Sequence, residues 1–466
     1  MTIKLHNTLS GKKEDFVPLN SDEVRIYSCG PTVYDYAHIG NLRAYVFTDL
    51  LTRTLAWRGY KIKQAMNITD IGHLSGDGDE GEDKMTRALK REGKPMTMEA
   101  MRELALFYEK AFVSDLEALN IKKPEIMPRA SENIEADIEI IKILEQKGLA
   151  YQISDGLYFD TAKFPEYGKL GNFSRAELRD GARVEGNAEK KSPRDFALWK
   201  FNGKLGFESP FGKGFPGWHI ECSAMSRKFL GQPFDIHTGG VDHIGTHHNN
   251  EIAQSESAYG TIPARFWMHN EHLNMPDGKK MAKSAGMFLT LQSLREKGFS
   301  PLDFRYYLLG AHYRTPMKFS FEAMEGAKNA RTRLISAVAL LPDKGKEAKE
   351  PMEKFGQAVD DDIDSPEALS ILWETLRDEN IDPAEKKATI LKFDEFLGLD
   401  MAGSIEKKKN SEAPPREISA LLDKRAKARE EKNWRKADEL RAEIEKLGYS
   451  VKDSATGQEI EKTTKD

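Results

Sequence analysis

A chain of 466 residues, 39% hydrophobic and 31% charged, reads as a soluble globular protein of roughly two to four domains. Its formal charge of −5, from 70 Lys and Arg against 75 Asp and Glu, excludes a globally basic protein, so any polyanion must be met by local basic surface. The start of the chain lacks a secretory run and no segment is apolar long enough to span a bilayer, so a cytosolic protein with no membrane attachment is expected.

Val24 to Cys29 suits a buried strand and runs into a Gly/Pro-rich loop. Leu42, Val46, Leu50, Leu51 and Leu55 then recur at helical spacing through Trp57, and Gly59 stops that helix. Lys61 to Asp70, with Ile62, Met66 and Ile68, predicts a second strand. Strand, loop, helix and strand form the unit of a doubly wound, Rossmann-like α/β domain, whose ligand face lies at the C-terminal strand ends. Cys29, His38 and Asn67 to Asp70 fall there.

The acidic run from Gly76 to Asp83 predicts a solvated, mobile loop without a catalytic role. Helical patterns follow at Met98 to Leu119 and Ile134 to Lys147, then a hairpin over Ala150 to Phe159 turning at Asp155-Gly156. This is an insertion, about 76–215, in a catalytic domain spanning 1–300. Strands return at Phe234 to His237 and Arg265 to His269, and the turn Pro276-Asp277-Gly278 precedes a lysine-rich loop. After Pro301 heptad-like spacing through Ala337 and from Ala368 to Leu397 predicts an α-helical bundle over 301–405. Residues 406–415 have linker composition. Beyond them a charged helical stretch, Ile418 to Leu447, and the strand-like Tyr449 to Lys452 predict a small C-terminal α/β module over 416–466.

Two cysteines, Cys29 and Cys222, are too few for a disulfide framework, and each sits among polar and aromatic residues, which points to metal. His247 and Glu251, four apart on a predicted helix, project from one face, and with both thiolates they make a four-ligand set suited to zinc. His248 with Glu251, or His219 with Cys222, satisfies similar spacing, so several sets remain open. His38-Ile39-Gly40-Asn41 lies where a strand turns into a helix: Gly40 permits close backbone approach and the helix N-terminus offers N–H groups to phosphate. Lys280-Met281-Ala282-Lys283-Ser284 places two ammonium groups on a loop able to close over a triphosphate.

In that order, these two motifs resemble the HIGH and KMSKS signatures of class I aminoacyl-tRNA synthetases. More narrowly, the chain resembles the cysteinyl-tRNA synthetase family at Cys29 to Asp35, Asn67 to Asp70, Pro216 to Met225, Phe234 to His237, His247 to Gln254 and Lys432 to Asp438. Among the possible ligand sets the resemblance selects Cys29, Cys222, His247 and Glu251, with one zinc per chain, and implies Thr69, Trp218 and His237 as the cysteine pocket. It implies ATP with Mg2+, L-cysteine and tRNA(Cys) as substrates. His38, Asn41, Lys280 and Lys283 would stabilise the reacting phosphates, Gly40 would give ATP close access, and Asp242 would bind its ribose. Two positions depart from the family pattern: Asn41 stands where a second His is common, and Ala282 where Ser is usual. The lost hydroxyl costs loop closure about 0.5–1.5 kcal/mol.

In the C-terminal module Lys424, Arg425, Lys427, Arg429, Lys432, Arg435 and Lys436 form a candidate RNA surface, with Trp434 placed to stack on an unpaired base. A monomer is expected. Two rival readings are a cysteine-activating ligase for an amino-sugar acceptor, against which the tail argues, and a non-catalytic RNA- or nucleotide-binding relative, suggested by Asn41 and Ala282.

Overall fold

The computed structural model describes residues 2–21, 23–72, 83–171, 187–275, 288–412, 415–454 and 457–462. Contact density divides them into two compact units, Met1–Asp400 and Met401–Asp466. In the first, the predicted strand and helix unit is present as β1 (Glu23–Ser28), α1 (Ile39–Trp57) and β2 (Lys61–Met66). Gly59, at φ +85°, follows the end of α1. The chain returns as α2 (Trp218–Leu230), β3 (Phe234–Gly240), α3 (His247–Tyr259) and β4 (Ala264–Asn270).

These strands form one parallel sheet in the order β4-β3-β1-β2. Val24, Ile26, Ile236 and Phe266 are fully buried within it, as expected of strands covered on both faces. From β1 the chain crosses to β2 on one side, whereas β3 leads to β4 on the other. The gap between the C-terminal ends of β1 and β3 is therefore the topological switch point, where α/β folds bind ligands.

The insertion contributes the helices Lys84–Arg91, Met98–Ala118 and Ile134–Gln146, then an antiparallel sheet of Ala150–Ile153, Gly156–Phe159, Phe196–Phe201 and Gly214–Pro216. Most of the predicted acidic loop lies outside the described residues; Asp83 caps the helix that follows, its carboxylate accepting from Thr86 N–H at 2.6 Å.

The helices Pro301–Leu309, Phe321–Ala339, Lys349–Asp360, Ser365–Arg377 and Pro383–Leu397 belong to the same compact unit as the sheet. Contact density does not separate them from the sheet near residue 300, and a buried ion pair is one of the links between the two. Arg305 is fully buried and pairs with Asp49 of α1 at 2.6 Å, while Arg53 meets the same carboxylate oxygen at 2.7 Å. Arg305 also donates to the carbonyls of Leu397 (2.7 Å) and Leu119 (3.0 Å), which ties the helical region, α1 and the insertion together.

The second unit contains the helices Met401–Glu412, Arg416–Glu430 and Trp434–Lys446 and the hairpin Tyr449–Ser454 with Gly457–Lys462. Ile418, Leu421, Leu440, Ile444 and Val451 make its core. The predicted linker at 406–415 is helical as far as Glu412, since its lysines are compatible with a solvated helix. The charged stretch divides at Lys432, which adopts φ +56°, and Asn433 caps the next helix by accepting from Lys436 N–H at 3.2 Å. Among the described residues no helix is long and apolar enough to cross a membrane.

Candidate active site at the strand ends

A cleft of about 1000 Å³ opens at the switch point, between the loop after β1, the first turn of α1, the start of α2 and the end of β3. Glycines let these segments converge. A Cβ on Gly30 would run into the Asn67 carbonyl, and one on Gly239 would lie 2.7 Å from the rings of His243 and His248.

Cys29, Cys222 and His247 line the cleft, and each can direct a ligand atom, with one from Glu251, into a cluster spanning no more than 4.8 Å. The four come from the β1 loop, α2 and α3, which explains why their sequence spacing is so wide. His247 Nε2 and Glu251 Oε1 lie 3.1 Å apart, buried, and among the described residues neither makes a hydrogen bond. Two orphaned buried acceptors beside two thiols suit a thiophilic divalent ion, which would satisfy all four at once.

A second group, Cys29, His237, His248 and Glu251, is equally tight. The two residues peculiar to it already have partners: His237 Nε2 meets Glu251 Oε2 at 2.9 Å, and His248 meets Cys29 Sγ through Nε2 at 3.3 Å and His269 Nε2 through Nδ1 at 2.8 Å. The first set is therefore the better metal cradle.

Outer groups hold this cradle in place. His219 Nδ1 lies 2.8 Å from His247 Nδ1, leaving His247 Nε2 directed at the cluster, and Trp218 stacks on the His247 ring at 4.1 Å and 24°. Burial raises the cost of charge on Cys29, but its bond to Cys222 and the facing His248, His247 and His243 hold it well below the ordinary thiol range. Cys222, as the donor in that bond and fully buried, is pushed well above it. Burial lowers the His243 pKa, yet the Cys29 thiolate outweighs this and the ring is raised to about 9.

Of the three residues expected to form a cysteine pocket, Trp218 lines the cleft, whereas Thr69 and His237 do not. His237 is fully buried, stacked on Trp267 at 4.7 Å, with Nε2 on Glu251. It orients a cradle residue. Thr69 is also buried and donates its hydroxyl to Glu221 Oε2 at 2.9 Å.

At the opposite end of the cleft His38 caps α1, its Nδ1 accepting from Asn41 N–H at 3.1 Å. An imidazole accepting at Nδ1 carries its proton on Nε2, so this ring is a donor there. Gly40 keeps the turn tight: a Cβ would lie 3.0 Å from the His38 ring. Exposed Asn41 and Asp242, the latter on the turn Val241–His243, both face the cleft. Lys280, Ala282 and Lys283 lie outside the described residues. Sequence reasoning gave no role to Lys84, Arg87 and Arg91, which line the cleft from the insertion, or to His243 and His269; the only early signal was the density of histidine between residues 237 and 269.

In the second unit Trp434 is 56% exposed, with the Arg429 guanidinium 5.5 Å from its ring. Arg435 is exposed beside Glu439 at 3.5 Å. Arg425 departs from the expected basic surface: it is 2% exposed and bonded to Gln458, because it holds the hairpin against its helix.

Residues 15–329 match the family described as tRNA synthetases class I (C) catalytic domain, and residues 412–460 match the Cysteinyl-tRNA ligase anticodon binding domain. The first unit is thus built on a class I synthetase catalytic fold. Solved structures agree at the level of fold: methionyl-tRNA synthetase of Mycobacterium tuberculosis with methionyl-adenylate gives a TM-score of 0.56 at 16% identity, covering 83% of this chain and 93% of that one. The LeuRS–tRNA–LeuAMS complex of Agrobacterium radiobacter gives 0.59 at 10% identity, covering 86% of each. Curated relatives are closer in sequence. Cysteine--tRNA ligase of Treponema denticola is 44% identical over 98% of this chain and 98% of its own, and Cysteine--tRNA ligase 1 of Burkholderia lata is 44% identical over 99% and 97%. This chain belongs to the cysteine–tRNA ligase family.

Proposed function

We infer that this protein joins L-cysteine to tRNA(Cys) at the expense of ATP, through a cysteinyl adenylate, and that a zinc ion held by Cys29, Cys222, His247 and Glu251 recognises the substrate thiol. The observation carrying this reading is the two-thiol cradle with orphaned, buried His247 and Glu251 atoms, open to the cleft at the switch point. When bound, zinc would favour a thiolate over the harder hydroxyl of serine. Shape alone separates such near-isosteres by only about 10- to 100-fold.

The remaining chemistry is positioning. Trp218 forms a wall beside the cradle and limits the side chain admitted. The cysteine carboxylate attacks the α-phosphorus of ATP and pyrophosphate leaves, with negative charge met by His38 Nε2–H, the amides opening α1, Asn41, Lys280 and Lys283, and by Mg2+ carried with the nucleotide. Gly40 admits the phosphates close to the backbone, and Asp242 accepts from a ribose hydroxyl. A terminal ribose hydroxyl of tRNA then attacks the adenylate carbonyl and releases AMP. Trp434 and Arg435 contribute RNA contacts by stacking and charge. The match over residues 412–460 supports an RNA acceptor over an amino sugar. We place the enzyme in the cytosol as a monomer.

Cysteine-dependent exchange of pyrophosphate into ATP, followed by charging of tRNA(Cys), tests this function. Activation of another amino acid with none of cysteine would refute it, and tRNA binding without adenylate formation would favour the non-catalytic reading.

A further inference from the structure

The two thiols of the cradle are 193 positions apart in sequence and sit on separate elements, so something must fix their spacing. One buried chain of hydrogen bonds runs between those elements. Gly30 N–H, next to Cys29, donates to Asn67 Oδ1 at 2.8 Å. Asn67 Nδ2 donates to Thr69 Oγ1 at 3.2 Å, and Thr69 Oγ1 donates to Glu221 Oε2 at 2.9 Å. Glu221 immediately precedes Cys222. The backbone reinforces the same link, because Thr69 N–H donates to Pro31 O and Val33 N–H to Thr69 O, both at 3.0 Å.

Every side chain in this relay is buried, and the donors and acceptors run in one consistent direction. The other oxygen of Glu221, Oε1, is buried and has no hydrogen-bond partner among the described residues. A carboxyl placed there gains only one bond while losing its water, so packing alone would favour an apolar side chain of the same size. Its position, one residue before a thiol and bonded to the segment stapled to the other thiol's loop, gives a geometric reason for its presence.

We propose that Glu221 is a positioning residue: through Thr69 and Asn67 it locks α2 to the Cys29–Gly30 loop and so sets the separation of the Cys29 and Cys222 sulfurs. Glu221 is in neither the cleft lining nor the ligand cluster; it acts through the backbone that carries Cys222. Asn67 and Thr69 share the role. The proposal rests on the zinc cradle inferred above.

The test is the rate at which zinc leaves the holoenzyme for a chromogenic chelator, measured for the parent, Glu221→Gln, Glu221→Met, Thr69→Val and Thr69→Val/Glu221→Met. Glu221→Gln keeps an acceptor for the Thr69 hydroxyl and should release zinc within about threefold of the parent. Glu221→Met and Thr69→Val should each release it about tenfold or more faster, as for loss of an outer-shell partner. The double variant should be no faster than the faster single one, because both cut the same link. Cobalt substitution adds a spectroscopic readout: the sulfur-to-cobalt charge-transfer band should shift in Met and Val variants and hold in Glu221→Gln. Should Glu221→Met fail to fold, Thr69→Val against Thr69→Ser carries the same comparison. Release rates and cobalt spectra indistinguishable from the parent in Thr69→Val and Glu221→Met, or effects that multiply in the double variant, would overturn the proposal. A parent that binds no zinc would instead overturn the cradle itself.

Discussion

Replacing His219 by Phe isolates the smallest perturbation that should loosen the cradle without touching a ligand. For His247 to offer Nε2, its Nδ1 must carry the proton and donate it, and the acceptor 2.8 Å away is His219 Nδ1. His219 is buried, held well below the ordinary imidazole range first by burial and then by the neighbouring His247, so it remains neutral and able to accept. Its ring packs edge-on to Phe196 at 5.6 Å, which leaves an aromatic-shaped space that Phe can fill. The substitution therefore removes one acceptor and leaves a buried N–H unpaired, a loss of about 1–3 kcal/mol. Loss of an outer-shell partner typically weakens metal binding by about 10- to 100-fold, or roughly 1.4–2.8 kcal/mol, the same range from a different direction. Chelator competition on the purified protein should show zinc affinity falling by that factor, with Glu or Gln-type acceptors at position 219 recovering part of it. An affinity within twofold of the parent would mean that His247 is oriented by something other than this contact.

Arg305→Leu should destabilise the first unit by about 3–5 kcal/mol in urea unfolding, because it breaks a fully buried pair with Asp49 and strips donors from two carbonyls; a loss under about 1 kcal/mol would contradict this. Asp115 is pushed up to about 6 by burial, against the pull of Arg295. A raised carboxyl pKa means the folded state holds its proton longer, so this group lowers stability as pH rises from about 4 through 6. Asp115→Asn should accordingly melt higher than the parent at pH 7 and no higher below about pH 4. Trp434→Ala should raise the KM for tRNA by an amount corresponding to about 1–3 kcal/mol while leaving cysteine-dependent pyrophosphate exchange unchanged, as read by parallel charging and exchange assays.

Local periodicity made much of the catalytic fold legible. Apolar runs flanking Gly30 and Gly59 specify β1, α1 and β2, and strand ends place Cys29 near a ligand site before any coordinates are known. Long-range polar packing was not legible. One link between the helical region and α1 runs through Asp49 and Arg305, 256 positions apart, and nothing near either residue announces the partner. Histidine roles were ambiguous for a related reason: His219, His247 and His248 all share a helix face with a Cys or Glu, and only the ring contacts separate a cradle residue from its supports. On β3, alternation shows that His237 is on one face but not whether that face meets the cleft or Trp267. For Thr69 the sequence leaves open whether a strand-end hydroxyl serves a pocket or a neighbouring helix, and in the structure it donates to Glu221.

In the function proposed above, two thiols separated by most of the catalytic region hold the metal that recognises a third. Zinc content and cysteine-dependent pyrophosphate exchange, measured side by side for the parent and Cys222→Ser, test it most directly. The parent should hold one zinc per chain and show robust exchange, and the variant should lose both. Exchange that persists in a Cys222→Ser protein free of zinc would contradict it.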